Sequence, residues 1–229
     1  MSLDALKAAV LEANIATVRH GLVKATFGNA SGIDRASGRI VIKPSGVAYD
    51  TMTPDQMVVT DLEGTLLDNR FRPSSDLDTH TVLYRAFSGI GAIIHTHSTY
   101  ATIMAQARRP IPPLGTTHAD YFHGTIPVTR DLTPDEIRHR YVAATGEVIA
   151  ETVGQSDPLA IPAILVAGHG PFVWGRDCKE AVLNAMILEE VAKMAWHGAA
   201  LDARPEPISQ TLLDRHFLRK HGANATYGQ

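Results

Sequence analysis

The residues best placed to do chemistry are histidines. His95-Thr96-His97 sets two imidazoles at i and i+2 inside a β-branched run that begins at Gly91, and such a run reads as a strand. Those two positions face the same side of a strand, so both rings can reach one cation. His169 ends a second candidate strand, residues 163–167, and is flanked by Gly168 and Gly170, which let the backbone turn closely. Three neutral imidazoles suit zinc and leave a coordination position open for a substrate. Asp76, in Ser74-Ser75-Asp76, is a candidate fourth ligand or an acid/base group beside the metal. A histidine on a strand is more often packed or solvated than ligating. The His95/His97 pair by itself therefore leaves a metal and a structural role equally open, and His169 and Asp76 join it partly through a resemblance given below. The other eight histidines, among them His118, His123, His139, His197 and His221, count as non-ligands.

Three polar turns could hold an anion: Gly28-Asn29, Ser45-Gly46 and Ser74-Ser75, with Lys43 beside the second. Hydroxyls, a carboxamide and approachable backbone N–H groups suit phosphate oxygens, and lysine adds a point charge. Each turn alone is ordinary loop material. No Walker or Rossmann glycine pattern is present, so a nucleotide is not implied. Asp120, before Tyr121 and Phe122, reads as a cap or turn residue, or as an acid/base group desolvated by the aromatic rings. Tyr227, two residues from the end, is expected to fray, and Cys178 reads as structural.

Strands and helices must position these groups. Leu3, Leu6, Val10, Leu11, Ile15 and Val18 recur at helical spacing. Residues 26–34 read as a short polar segment. Strands are expected at 39–43, 57–61, 91–97, 163–167 and, at a sheet edge because of Pro127, at 125–129. Helices are expected at 78–87, from Pro134 towards Val153 behind a Thr133 cap, at 179–201 and at 209–220. No repeat or linker divides the 229 residues, so the reading is one α/β domain over 1–229.

Composition narrows the function classes. With 45% hydrophobic and 20% charged residues the chain is an ordinary globular one. The net charge of −3, from 21 basic and 24 acidic residues, gives no footprint for nucleic acid or an anionic membrane. A single cysteine rules out an intrachain disulfide and a multi-cysteine zinc site and fits a reducing compartment. The apolar runs are too short to span a bilayer, and Asp4, Lys7 and Glu12 interrupt any signal-like start. A cytoplasmic protein is expected.

Several motifs together resemble a known family. Gly28-Asn29-Ala30-Ser31, Ile42-Lys43-Pro44-Ser45-Gly46, Pro73-Ser74-Ser75-Asp76 and His95-Thr96-His97-Ser98 look like the class II aldolase/adducin-head family. The run from Gly115 to Phe122, His169-Gly170-Pro171-Phe172 and the tail from Leu218 to Gln229 look like its L-ribulose-5-phosphate 4-epimerase branch. The likeness runs from the first helix to the last residue. Ala167-Gly168 and Thr226 stand where relatives often carry other residues, with no ligand replaced.

The resemblance implies a three-layer αβα fold around a mostly antiparallel sheet, in a homotetramer of C4 symmetry with active sites between subunits. It implies one zinc per subunit on His95, His97 and His169, with Asp76 at or beside the metal. Gly28, Asn29, Lys43, Ser45, Gly46, Ser74 and Ser75 match substrate positions, chiefly around the phosphate. Asp120 and Tyr227 match an acid/base pair from the neighbouring subunit, and Thr116 and His216 match supporting positions. The implied activity interconverts pentulose 5-phosphates at C4, in arabinose or ascorbate breakdown. C4 is not acidic, so inversion requires cleavage and re-formation of the C3–C4 bond, and zinc as a Lewis acid can stabilise the resulting charge. Two alternatives stand beside it. A class II aldolase would release its products, but typically carries glutamate where this chain has Asp76. A non-catalytic adducin-head-like module would have lost the histidines.

Overall fold

A computed structural model describes residues 1–67, 70–202, 205–222 and 225–226. Seven helices and six strands occur among them. The helices are α1 (Leu3–Arg19), α2 (Leu77–Ala86), α3 (Thr99–Gln106), α4 (Thr116–Ala119), α5 (Pro134–Val153), α6 (Cys178–Leu201) and α7 (Gln210–His221). The strands are β1 (Gly28–Asp34), β2 (Arg39–Ile42), β3 (Val58–Thr60), β4 (Ala92–Thr96), β5 (Ala163–Leu165) and β6 (Pro171–Gly175). They form one sheet in the order β3-β2-β1-β4-β6-β5, every neighbouring pair antiparallel.

Side-chain alternation divides this sheet into two faces. On one, Ile33, Ile40, Ile93, Ile164, Phe172 and Trp174 pack under Leu83 and Tyr84 of α2 and Ile149 of α5. On the other, Ala30, Val41, Ala92, Ile94 and Val173 meet Leu6 and Val10 of α1, Ala101 and Ala105 of α3, and Ala181, Ala185 and Leu188 of α6. The result is the expected αβα sandwich. Small residues in β1 and along α6 bring the helices close to the sheet.

The differences from the sequence reading have local causes. Residues 28–34 are the central strand β1, hidden in the sequence because glycine, asparagine, alanine and serine have low strand preference. Residues 125–129 form no strand; they contribute only isolated bridges, Ile111↔Ile126 and a parallel Val128↔Leu165. β6 was not anticipated, since it follows Pro171 directly after the His169 turn. The expected start of α5 holds in full: the Thr133 hydroxyl accepts from the Glu136 N–H, and the Glu136 carboxylate accepts from the Thr133 N–H at 2.7 Å. That helix kinks at Arg140 (φ −155°, ψ 35°).

Candidate active site

β1, β4 and β6 run side by side, with Asn29 opposite His95 and His95 opposite Phe172. Asn29, His95 and Phe172 thus share the face covered by α2 and α5. His97 stands just beyond β4, and His169 lies in the tight turn joining β5 to β6, closed by Val166 N–H to Gly170 O at 2.9 Å. Gly168 takes φ +69° in that turn, a conformation that favours glycine.

The three imidazoles form a near-equilateral group, with ring centroids 4.8 to 5.0 Å apart. One nitrogen from each lies within 4.8 Å of the others. His95 stacks on Phe172 at 4.2 Å, and its Nδ1 donates to the Pro171 carbonyl at 2.9 Å. That bond leaves Nε2 as a lone pair, 3.2 Å from His97 Nε2. Burial is the main cause lowering the pKa of all three. Neighbouring rings lower His95 and His169 further, whereas the Asp76 charge raises His97 and His169. Neutral rings with converging lone pairs are what a cation requires. His169 Nδ1 is also buried without a protein partner. The donor set fits a metal of the zinc type.

Asp76 caps the start of α2 but makes no side-chain cap bond. Its carboxylate instead accepts from the Asn29 Nδ2 at 2.6 Å. Asp76 and Asn29 line a cleft of about 440 Å³ with Gly28, Lys43, Ser45, Gly46, Ser74, Ser75, His95 and His97. The three polar turns thus open into one space. Two of them are tied together, Ser45 N–H to Arg72 O at 2.8 Å and Ser74 N–H to Lys43 O at 2.9 Å. Gly28 takes φ +155°, and a Cβ there would stand 2.6 Å from Val23 Cγ2 and 2.9 Å from the His95 carbonyl.

Lys43 is 5% exposed. Its ammonium donates to the Pro44 and Val47 carbonyls at 3.1 and 3.0 Å and sits 4.6 Å over the Tyr49 ring. Burial lowers its pKa. No carboxylate neutralises it among the described residues, so its charge is available to an anion in the cleft.

Asp120 belongs to a second group. At the end of α4, its carboxylate accepts from His216 Nδ1 at 3.0 Å and Arg219 at 3.1 Å, with the Lys220 ammonium at 3.8 Å, all on α7. Its carboxyl is therefore surrounded by donors rather than by aromatic surface. His221 donates to the Asp120 carbonyl at 2.9 Å, and Thr226 N–H reaches the Arg219 carbonyl at 3.0 Å. Thr116, exposed, opens α4. Thr116, Asp120 and His216 are not among the described residues lining the cleft. Tyr227 lies outside the described residues.

The class II aldolase and adducin N-terminal domain model matches residues 8–196. The chain belongs to that family. Among class II aldolase and adducin relatives, it is 53% identical over 224 residues, 98% of each chain, to "L-ribulose-5-phosphate 4-epimerase UlaF" of Salmonella paratyphi B. The same figures hold for the protein of that name from Salmonella typhi. Among solved structures, an L-fuculose 1-phosphate aldolase superposes with a TM-score of 0.80 at 24% identity, over 94% of this chain and 96% of that one. At that identity the likeness concerns the fold.

Three residues near the cleft escaped the sequence reading. Tyr141, one residue past the α5 kink, places its ring 6.2 Å from that of His169; burial raises its pKa, and the Asp76 charge adds to this. Tyr49 donates to the Gly28 carbonyl at 2.6 Å. His80, on α2, is fully buried. Only the fold could have drawn these three towards the cleft.

Proposed function

We propose that the chain is a zinc-dependent L-ribulose-5-phosphate 4-epimerase, interconverting L-ribulose 5-phosphate and D-xylulose 5-phosphate. What carries the reading is near-full-length similarity to the named epimerases together with histidine and anion-binding turns in one cleft. His95, His97 and His169 hold the cation, with Asp76 at or beside it. Bound there, zinc supplies Lewis acidity for the negative charge left when the C3–C4 bond breaks.

The chain's own residues do the rest. Lys43, Ser45, Gly46, Ser74 and Ser75 grip the phosphate, while Gly28 and Asn29 complete the cradle and Asn29 orients Asp76. C4 inverts when the released two-carbon aldehyde turns its other face before re-addition. Inversion therefore needs one group to take the C4 hydroxyl proton and another to return a proton on the opposite side. Asp120 and Tyr227 fill those roles from a neighbouring subunit, with Thr116 and His216 in support. The separation of Asp120 from the cleft within one chain favours this shared arrangement. We infer a single-domain subunit, a cytoplasmic homotetramer and one zinc per subunit. No helix among the described residues is long and apolar enough to cross a membrane.

The deciding experiment incubates zinc-loaded protein with L-ribulose 5-phosphate beside a chelator-treated control. Metal-dependent appearance of D-xylulose 5-phosphate is the expected result. Accumulation of dihydroxyacetone and glycolaldehyde phosphate would instead identify an aldolase. Neither product from a zinc-bound protein would overturn the substrate assignment.

A further inference from the structure

Ser31, two residues beyond Asn29 on the same face of β1, is not among the residues lining the cleft. Its hydroxyl lies 2.6 Å from His80 Nδ1 and 2.8 Å from the Tyr84 hydroxyl. All three residues have no solvent exposure. His80 Nε2 is buried without a partner, and so is Asn29 Oδ1.

Counting hydrogens orders this cluster. If His80 Nδ1 carried the proton, the cluster would strand both an Nε2 lone pair and a hydroxyl hydrogen. If Tyr84 donates to Ser31 and Ser31 donates to His80 Nδ1, every hydroxyl hydrogen is used. The single group left over is then an N–H at Nε2. Burial supports the neutral ring by lowering the His80 pKa to about 3. His80 lies four positions after Asp76, the N-cap of α2, and its backbone N–H donates to the Asp76 carbonyl at 3.1 Å, a spacing that sets the two side chains on the same side of the helix. The Asp76 charge raises the His80 pKa and the His95 ring lowers it, so both groups are near enough to act on the ring.

We propose that His80 is a positioning residue of the metal cleft: Ser31 and Tyr84 lock its Nε2–H tautomer, and that N–H holds the Asp76 carboxylate, directly or through one water, in the orientation a loaded site uses. Asn29 and His80 would then grip Asp76 from the strand and from its own helix. Carboxylates beside a metal commonly depend on such outer donors, whose removal weakens metal binding ten- to a hundred-fold.

The inference rests on the metal reading, and its test separates the two. Zinc affinity of chelator-stripped protein is measured by competition with a chromophoric chelator, alongside thermal unfolding. Wild type failing to bind zinc would remove the metal reading and this one with it. Given a zinc-binding wild type, His80→Phe should bind roughly ten-fold or more weakly. His80→Gln, whose amide N–H reaches the Nε2 position, should stay within a few-fold of wild type. Ser31→Ala, which keeps the ring but releases its tautomer, should fall between. In an Asp76→Asn background the His80 substitutions should have no further effect. Equal weakening by Phe and Gln, or full affinity in His80→Phe, would overturn the proposal. Should His80→Phe not fold, Ser31→Ala decides: wild-type affinity overturns it and weakened affinity supports it.

Discussion

The Asn29 carboxamide donates to the Asp76 carboxylate at 2.6 Å, joining the central strand to the first turn of a helix 47 residues away in sequence. A hydrogen bond to an ionised acceptor is roughly twice as strong as a neutral one, and here it sets where a carboxylate points beside three imidazoles. Asn29→Ala should leave the fold intact and lower kcat/KM by about ten- to a hundred-fold. Steady-state kinetics on zinc-loaded protein checks this; unchanged kcat/KM would mean that Asp76 needs no such hold.

Lys43 is a buried cation whose contacts are carbonyls and an aromatic face. Lys43→Met should raise KM for a sugar phosphate by an order of magnitude or more, roughly the worth of one charged hydrogen bond, with zinc affinity unchanged. Because burial lowers the Lys43 pKa, wild-type KM should begin to rise at a lower pH than an exposed lysine would permit. A flat alkaline KM profile would contradict this.

The proposal that a second subunit completes the cleft is tested by a mixing experiment. Lys43→Met and Asp120→Asn subunits, each strongly impaired alone when assayed at substrate well below the wild-type KM, should regain activity when unfolded together and reassembled. In a ring of random composition, about a quarter of the sites would combine two intact halves. No recovery in reassembled oligomers would place both residues in the same subunit's site.

Acid should loosen the metal-free protein. His80 is neutral when folded, with its pKa lowered to about 3 by burial, against 6.5 unperturbed. Between those values the unfolded chain binds the proton that the folded one refuses. Stability is therefore full above about pH 6.5, declines as pH falls through the window, and levels off below the folded value. The slope from such a group is about 1.4 kcal/mol per pH unit. Thermal melts of chelator-stripped protein from pH 7 to 5 should show the decline, and His80→Gln should reduce it.

A Cβ on Gly32 would stand 2.9 Å from Leu6 Cδ1, 3.0 Å from Val10 Cγ2 and 3.3 Å from Cys178 Sγ. Gly32→Ala should destabilise the protein by about 1–3 kcal/mol through overpacking between β1 and helices α1 and α6. Chemical denaturation measures it, and an unchanged midpoint would show that these side chains yield freely.

How much of this was legible beforehand depended on the kind of signal. The Thr133 cap, the α6 helix and the branched run before His95 are local patterns, and the structure places each within a residue or two. β1 was not legible, because its role is to admit helices and hydrogen bonds rather than to fill space. Small residues do that, and they carry no strand pattern. The His95/His97 pairing was visible from spacing, whereas His169 and Asp76 needed resemblance because strand register and helix placement bring them in. His80 showed nothing at all in sequence: its meaning lies in an unfilled nitrogen that appears only once Ser31 and Tyr84 surround its other side.

The two bonds tying residues 43–45 to 72–74 carry a consequence for selectivity. They join the two turns proposed to hold the phosphate into one block, and β1, lying between β2 and β4, sets the gap from that block to the histidines. On the proposed function, the cleft would thereby act as a length gauge with a stop at each end. A chain of the wrong number of carbons would have to forfeit either its phosphate or its carbonyl end, whatever its stereochemistry, so size is sorted by the backbone before any side chain tests configuration.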